Sequence, residues 1–129
     1  MNTNLNNRIG DYAEFLFDAN SVLVGLVVNR PIHPGTVYDR VVEYNGNFTK
    51  VQIKCVTKKR VGNGSCRAML IKGNSTVYKK SEIDYFAVYV LPENCWYIFP
   101  NEEKSNISFN GKNHLKYKNN WEALKCSRA

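Results

Sequence analysis

The sequence reads as an α/β domain, on three observations. Ile9, Tyr12, Ala13, Leu16 and Phe17 recur at helical spacing near the N-terminus. Two strand-like stretches flank an Asn45-Gly46 pair, and a third apolar run, DYFAVYVL over residues 84–91, reads as a buried strand. A chain of 129 residues that is 43% hydrophobic is long enough to bury one core and too short to divide into two. A single domain over residues 1–129 is therefore expected, with a core over about 6–100 and an extension over about 101–129.

The helical spacing predicts the first helix over residues 6–23, with Gly25 as its stop, because the left-handed position after a helix favours glycine. Leu26, Val27 and Val28 make a short strand. Pro31 and Pro34 close it, since proline lacks the N–H donor and fixes φ. The hairpin comes next. Residues 37–44 are rich in β-branched and aromatic types, residues 47–56 alternate, and Asn45-Gly46 meets the need of a type I′ turn for φ > 0 at both central positions.

That turn sets a register. With Asn45 and Gly46 as the loop, Tyr44 pairs with Asn47, Glu43 with Phe48 and, counting back, Asp39 with Gln52. Lys54 lies two residues beyond Gln52 and shares its face, while Val51, Ile53 and Cys55 point the other way, into a core. A carboxylate, an amide oxygen and an ammonium thus converge. A one-residue slip would place Asp39 and Gln52 on opposite faces.

Beyond residue 56 the chain carries Lys58-Lys59-Arg60, turns at Gly62-Asn63-Gly64, and is expected to return over 66–71 as a basic two-stranded ribbon. Residues 77–81 have no clear pattern. After the buried strand, Pro92-Glu93-Asn94 turns the chain into a strand over 95–99, stopped by Pro100. The remainder is rich in Asn and Lys, with apolar anchors at Ile107, Phe109, Leu115 and Tyr117. Trp121 and Leu124, three apart, mark a short helix over 120–125. This extension is expected to pack on the core or on another subunit.

The formal net charge of +7 makes a polyanion the default partner, since Lys and Arg bind phosphates largely by releasing counterions. Lys58, Lys59, Arg60 and Arg67 lie on the ribbon, and a two-stranded ribbon fits a major groove. Lys79, Lys80, Lys112, Lys116 and Lys118 suit phosphate contact. Cys55, Cys66, Cys95 and Cys126 have neither CxxC pairing nor histidines at zinc spacing, so buried reduced thiols are expected. No run reaches the roughly 18 apolar residues of a membrane span, and the N-terminus has no signal pattern. A soluble, cytoplasmic protein is expected.

The first helix also carries Glu14 beside its apolar stripe, where it can reach over the sheet edge toward Asp39 and Gln52. Carboxylates with an amide oxygen suit Mg²⁺, a hard cation that takes oxygen ligands and keeps several waters.

Glu14 in a helix, then Asp39, then Gln52-x-Lys54 resembles the PD-(D/E)xK nuclease superfamily, whose hallmark is a helix acid followed by Asp and an acid or Gln before x-Lys on adjacent strands. More narrowly, Gly10-Asp11-Tyr12-Ala13-Glu14, Pro31, Tyr38-Asp39, Val51-Gln52-Ile53-Lys54, Tyr78 and Asp84-Tyr85-Phe86 resemble the branch containing the cyanobacterial group I intron homing endonuclease. The likeness spans residues 8–100. Tyr38 stands where the superfamily name has Pro, and Gln52 where most members have an acid, so the site carries one negative charge fewer.

The resemblance implies a restriction-endonuclease-like core, a mixed β-sheet flanked by helices, elaborated here by the basic β-ribbon and the C-terminal extension. It implies hydrolysis of phosphodiester bonds in double-stranded DNA with Mg²⁺, for which Mn²⁺ substitutes. Glu14, Asp39, Gln52 and the Ile53 carbonyl would position the metal, and Lys54 would orient water. Tyr78 and Asp84 are possible supporting residues, Asp84 for structure. The expected activity is that of a site-specific homing endonuclease acting as a dimer or tetramer. A Holliday junction resolvase with the same core, or a non-catalytic nucleic-acid-binding protein retaining the fold, are the alternatives.

Overall fold

The computed structural model describes residues 3–126. Helix α1 (Thr3–Leu23) is followed by strands β1 (Val27–Asn29), β2 (Arg40–Tyr44), β3 (Asn47–Val56), β4 (Cys66–Met69), β5 (Tyr85–Val90), β6 (Cys95–Pro100) and β7 (Asn106–Phe109). Five strands form the main sheet in the order β1-β2-β3-β5-β6, and β4 pairs with β7 in a separate two-stranded sheet. The β3–β5 pair is parallel. The other pairs are antiparallel.

Local chemistry explains the helix stop and the hairpin. Gly25 adopts φ +94°, and its N–H donates to the Val22 carbonyl at 3.1 Å while the Leu26 N–H donates to Ser21 at 2.9 Å, which satisfies carbonyls left open at the helix end. Asn45 and Gly46 have φ of +50° and +80°, as a type I′ turn requires. Over Arg40–Tyr44 the register is the expected one, with Tyr44 opposite Asn47, Glu43 opposite Phe48 and Arg40 opposite Val51. The expected Asp39–Gln52 pair is corrected, because the ladder ends at Arg40 and the Asp39 N–H donates to the Val51 carbonyl at 2.9 Å.

Alternation along β3 divides the core in two. Val51 and Ile53 face α1 and pack with Ala13, Phe17, Val42, Ala87 and Ile98. The opposite face of the sheet contributes Phe86, Val88, Tyr97 and Phe99, covered by Ala68, Leu70, Ile107 and Phe109. Among the described residues, then, an α-helix covers one face and a small β-sheet the other, in place of helices on both. A parallel pair such as β3–β5 needs a crossover, and here residues 57–84 make that crossover without an α-helix.

The expected basic ribbon is corrected in its pairing. β3 ends at Val56 and residues 57–60 extend no ladder. Instead the loop closes on itself, with the Arg60 N–H donating to Ser65 at 2.6 Å and the Gly64 N–H to Arg60 at 3.1 Å. β4 pairs with β7, Cys66 opposite Phe109 and Met69 opposite Asn106. Cys66, Ala68 and Leu70 are buried and need apolar cover, which a polar exposed hairpin cannot give and Ile107 and Phe109 do.

The extension packs on both faces of the core. Asn119 caps the outer edge of β6, its N–H donating to the Trp96 carbonyl at 2.7 Å and its Oδ1 accepting from the Trp96 N–H at 3.0 Å. In the 3₁₀ turn Trp121–Lys125, Leu124 is buried and the Trp121 ring lies 5.5 Å from Phe17 and 5.7 Å from Trp96. All four cysteines are free. Cys66 and Cys95 are buried and Cys55 is partly covered, but Cys126 is exposed, contrary to the reading of buried thiols throughout. Among the described residues no helix is long and apolar enough to cross a membrane.

Candidate active site

The end of the β2–β3 ladder gathers the polar residues. The Asp39 N–H donates to the Val51 carbonyl at 2.9 Å, which fixes the chain just before β2. The Asp39 carboxylate reaches the neighbouring strand, where its Oδ2 accepts from the Ile53 N–H at 2.8 Å. That amide lies between Gln52 and Lys54, which both face away from α1, as does Val56 further along β3. Gln52 Oε1 is buried and has no hydrogen-bond partner. The Lys54 ammonium stands 5.3 Å above the ring of Tyr78, which is buried edge-on against Phe86.

Electrostatics matches this crowding. Burial raises the Asp39 carboxyl above its ordinary value, against the Ile53 N–H bond that lowers it, and Glu14 raises it further while Arg40 and Lys54 lower it. Burial likewise holds Lys54 below the ordinary lysine value, with Asp39 pulling it back up. The Tyr78 hydroxyl is raised by burial and then by Asp39. An acid pushed up and a base pushed down at one sheet end is a pattern that clusters at functional sites.

Glu14 arrives by a route that the sequence does not announce. Arg40, the first residue of β2, turns toward α1 and is only 2% exposed. Its Nε donates to Asp18 Oδ1 at 2.8 Å and its Nη2 to Asp18 Oδ2 at 3.0 Å, while Nη1 donates both to Glu14 Oε1 at 3.0 Å and to the Asp39 carbonyl at 2.8 Å. One guanidinium thus ties the helix carboxylates to the backbone of Asp39. A signal existed: Arg40 has the parity of Val42 in an apolar strand, so its charge had to be buried and paired.

Asp84 lies elsewhere and has a structural partner. Its Oδ2 accepts from the Lys50 N–H at 2.8 Å, and its own N–H donates to the Lys50 carbonyl at 2.9 Å, which starts the parallel β3–β5 pairing. Lys58, Lys59 and Arg60 are exposed on the loop after β3, Arg67 is exposed on β4, and Lys79 and Lys80 are exposed on the turn before Ile83. None of these six joins the Asp39 cluster through a hydrogen bond or ion pair among the described residues.

A family model for the PD-(D/E)XK endonuclease matches residues 2–124. The chain belongs to that family. A solved bacterial homing endonuclease, I-Ssp6803I, matches with a TM-score of 0.79 and 21% sequence identity over 90% of each chain, a likeness of fold. No curated protein sequence matches. Within the PD-(D/E)XK endonuclease fold, the end of β2–β3 is where the hallmark pattern falls in this chain.

The donor set fits a hard divalent cation. Among the described residues no three His, Cys, Asp or Glu side chains come together; a cation there would have the Asp39 carboxylate, amide and backbone oxygens, and Glu14, which is near enough to repel Asp39 but is bonded to Arg40. The orphaned Gln52 oxygen is the decisive feature. A buried acceptor without a partner costs roughly 1–3 kcal/mol, and a cation beside Asp39 would supply one.

Proposed function

We propose that the protein is a site-specific, Mg²⁺-dependent endonuclease that hydrolyses phosphodiester bonds in double-stranded DNA, a homing enzyme of a mobile intron. The observation that carries this reading is the Asp39 carboxylate bonded to the Ile53 N–H between Gln52 and Lys54, in a chain of the PD-(D/E)XK endonuclease family. The likeness to a bacterial homing endonuclease supports the narrower assignment.

Asp39, the Gln52 amide oxygen and the Ile53 carbonyl would hold the cation, with Glu14 supplying the second carboxylate. When bound, Mg²⁺ polarises the phosphoryl oxygens and lowers the pKa of water. Lys54 orients the attacking water and offsets charge that builds on the phosphorus oxygens, a contribution whose loss commonly costs on the order of a hundredfold or more. Its Tyr78 platform limits where the ammonium can go. Lys58, Lys59, Arg60 and Arg67 contact DNA, and Lys79 and Lys80 contact phosphates.

One subunit carries one such centre, so cutting both strands calls for a symmetric homo-oligomer. Incubation with a randomised duplex library and Mg²⁺, followed by sequencing of the cut ends, tests the proposal. Ends that share a sequence support a site-specific enzyme. Cleavage confined to four-way junctions would replace it with a junction resolvase, and salt-sensitive binding without cleavage under Mg²⁺ or Mn²⁺ would leave a non-catalytic binder.

A further inference from the structure

The connection from β1 to β2 carries Arg30-Pro31-Ile32-His33-Pro34-Gly35-Thr36. Apolar packing does not shape it, since Ile32 is fully exposed. Local chemistry does. Pro31 and Pro34 fix φ and offer no N–H. The Gly35 N–H donates to His33 Nδ1 at 3.0 Å, and Thr36 Oγ1 donates to the Tyr38 carbonyl at 3.1 Å. A Cβ on Gly35 would lie 2.9 Å from His33 Cε1 and 3.0 Å from Nδ1, so the imidazole keeps this seat only beside a glycine.

Loop and candidate site line a single cleft of about 150 Å³, to which the loop contributes Arg30, His33 and Thr36, and α1 and the chain entering β2 contribute Glu14, Asp39 and Arg40. A water molecule takes up about 30 Å³ in the liquid, so the cleft admits a hydrated cation together with a phosphate group. Its carboxylates repel such a group, and the Arg40 guanidinium is already committed to Asp18 and Glu14. Arg30 and His33 are exposed. Among the described residues neither Arg30 nor His33 Nε2 has a hydrogen-bond or ion-pair partner. With Nδ1 accepting from Gly35, the neutral ring carries its proton on Nε2. Two donors thus stand unused beside two carboxylates.

We propose that Arg30 and His33 hold a backbone phosphate of the DNA strand that enters this cleft, the guanidinium through its fork of N–H donors and the imidazole through Nε2–H. Gly35 is a positioning residue that acts through His33. This rests on the endonuclease reading above and adds to it the groups that grip the substrate's anion. The work divides by charge: Asp39 and its neighbours take the cation, and the loop takes the phosphate. Lys58, Lys59 and Arg60 do not line the cleft, so their phosphates lie elsewhere along the duplex.

Binding of a fluorescent mixed-sequence duplex to the full chain, with Ca²⁺ in place of Mg²⁺, tests the pair without any need for cleavage. Arg30→Ala and His33→Ala should each weaken binding about tenfold or more while far-UV circular dichroism stays unchanged. Arg30→Ala should also lower the log–log salt slope by roughly 0.9, and Arg30→Lys should fall between it and wild type. Gly35→Ala should cost as much as His33→Ala, yet nothing further once His33 is already alanine. Imidazole ¹⁵N spectra should show the Nε2–H tautomer, with the Nε2 resonance shifting when DNA is added. Variants that bind like wild type, additive losses at Gly35 and His33, or an Nε2 resonance indifferent to DNA would overturn the proposal. A wild type that binds in this way and cuts nothing under Mg²⁺ would instead remove the endonuclease reading and leave the phosphate grip standing.

Discussion

Asp39 concentrates the competing forces of the proposed site in one side chain. Burial disfavours its charge, the Ile53 N–H favours it, and Glu14 repels it. Because the carboxyl is raised, the folded chain holds its proton more tightly than the unfolded chain does. The stability this adds is complete below the ordinary carboxyl value and is lost as pH rises through the raised one. Asp39→Asn keeps an acceptor for the Ile53 N–H and removes that loss. In EDTA its Tm should therefore match wild type in acid and exceed it at neutral pH, a difference thermal melts at several pH values would reveal. The same variant should abolish cleavage while DNA binding persists, as should Lys54→Ala. Full cleavage by either would remove these residues from the mechanism.

Arg40 behaves oppositely, because its charge is buried but fully engaged. Burial opposes its ionisation, yet Asp18 and Glu14 raise it overall. Replacing it with Met strands two carboxylates against the sheet. Because both carboxylates keep about a third of their surface in water, Arg40→Met should destabilise the fold by about 1–3 kcal/mol in urea titrations. Arg40 was not read from the sequence: its parity with Val42 was an available clue, but its partners Glu14 and Asp18 lie more than twenty residues away and reach it only through the packing of α1 on β2.

At the scale of elements, short-range chemistry was legible and long-range pairing was not. The φ > 0 demand of Asn45-Gly46 fixed the hairpin register, and with it the side of the sheet that Gln52 and Lys54 share. β4 gave no comparable signal. Its partner β7 comes some forty residues later, and nothing local in residues 66–71 distinguishes a return ribbon from half of a covering sheet. The alternation of Cys66, Ala68 and Leu70 was the available clue. Asp84 shows what such long-range joins are worth. Asp84→Ala leaves the Lys50 N–H without its side-chain acceptor where the parallel pair begins, and should cost about 1–3 kcal/mol in chemical denaturation.

Across the whole molecule, the excess positive charge and the proposed site occupy connected parts. β3 runs from the Asn45-Gly46 turn past Gln52 and Lys54 directly into Lys58-Lys59-Arg60. Substituting those three with Ala should flatten the salt dependence of DNA binding, lowering its log–log slope by roughly 0.9 for each phosphate no longer neutralised, read from binding titrations across salt concentrations. Unchanged salt dependence with a relaxed sequence preference would instead make them base readers. The measurement closest to the central claim is cleavage of a circular double-stranded DNA library by wild-type and Asp39→Asn protein, each with Mg²⁺ and with EDTA. The expected result is linear DNA with a common end sequence from wild type with Mg²⁺ alone. Cleavage that persists in EDTA, or that Asp39→Asn performs equally well, would contradict the account.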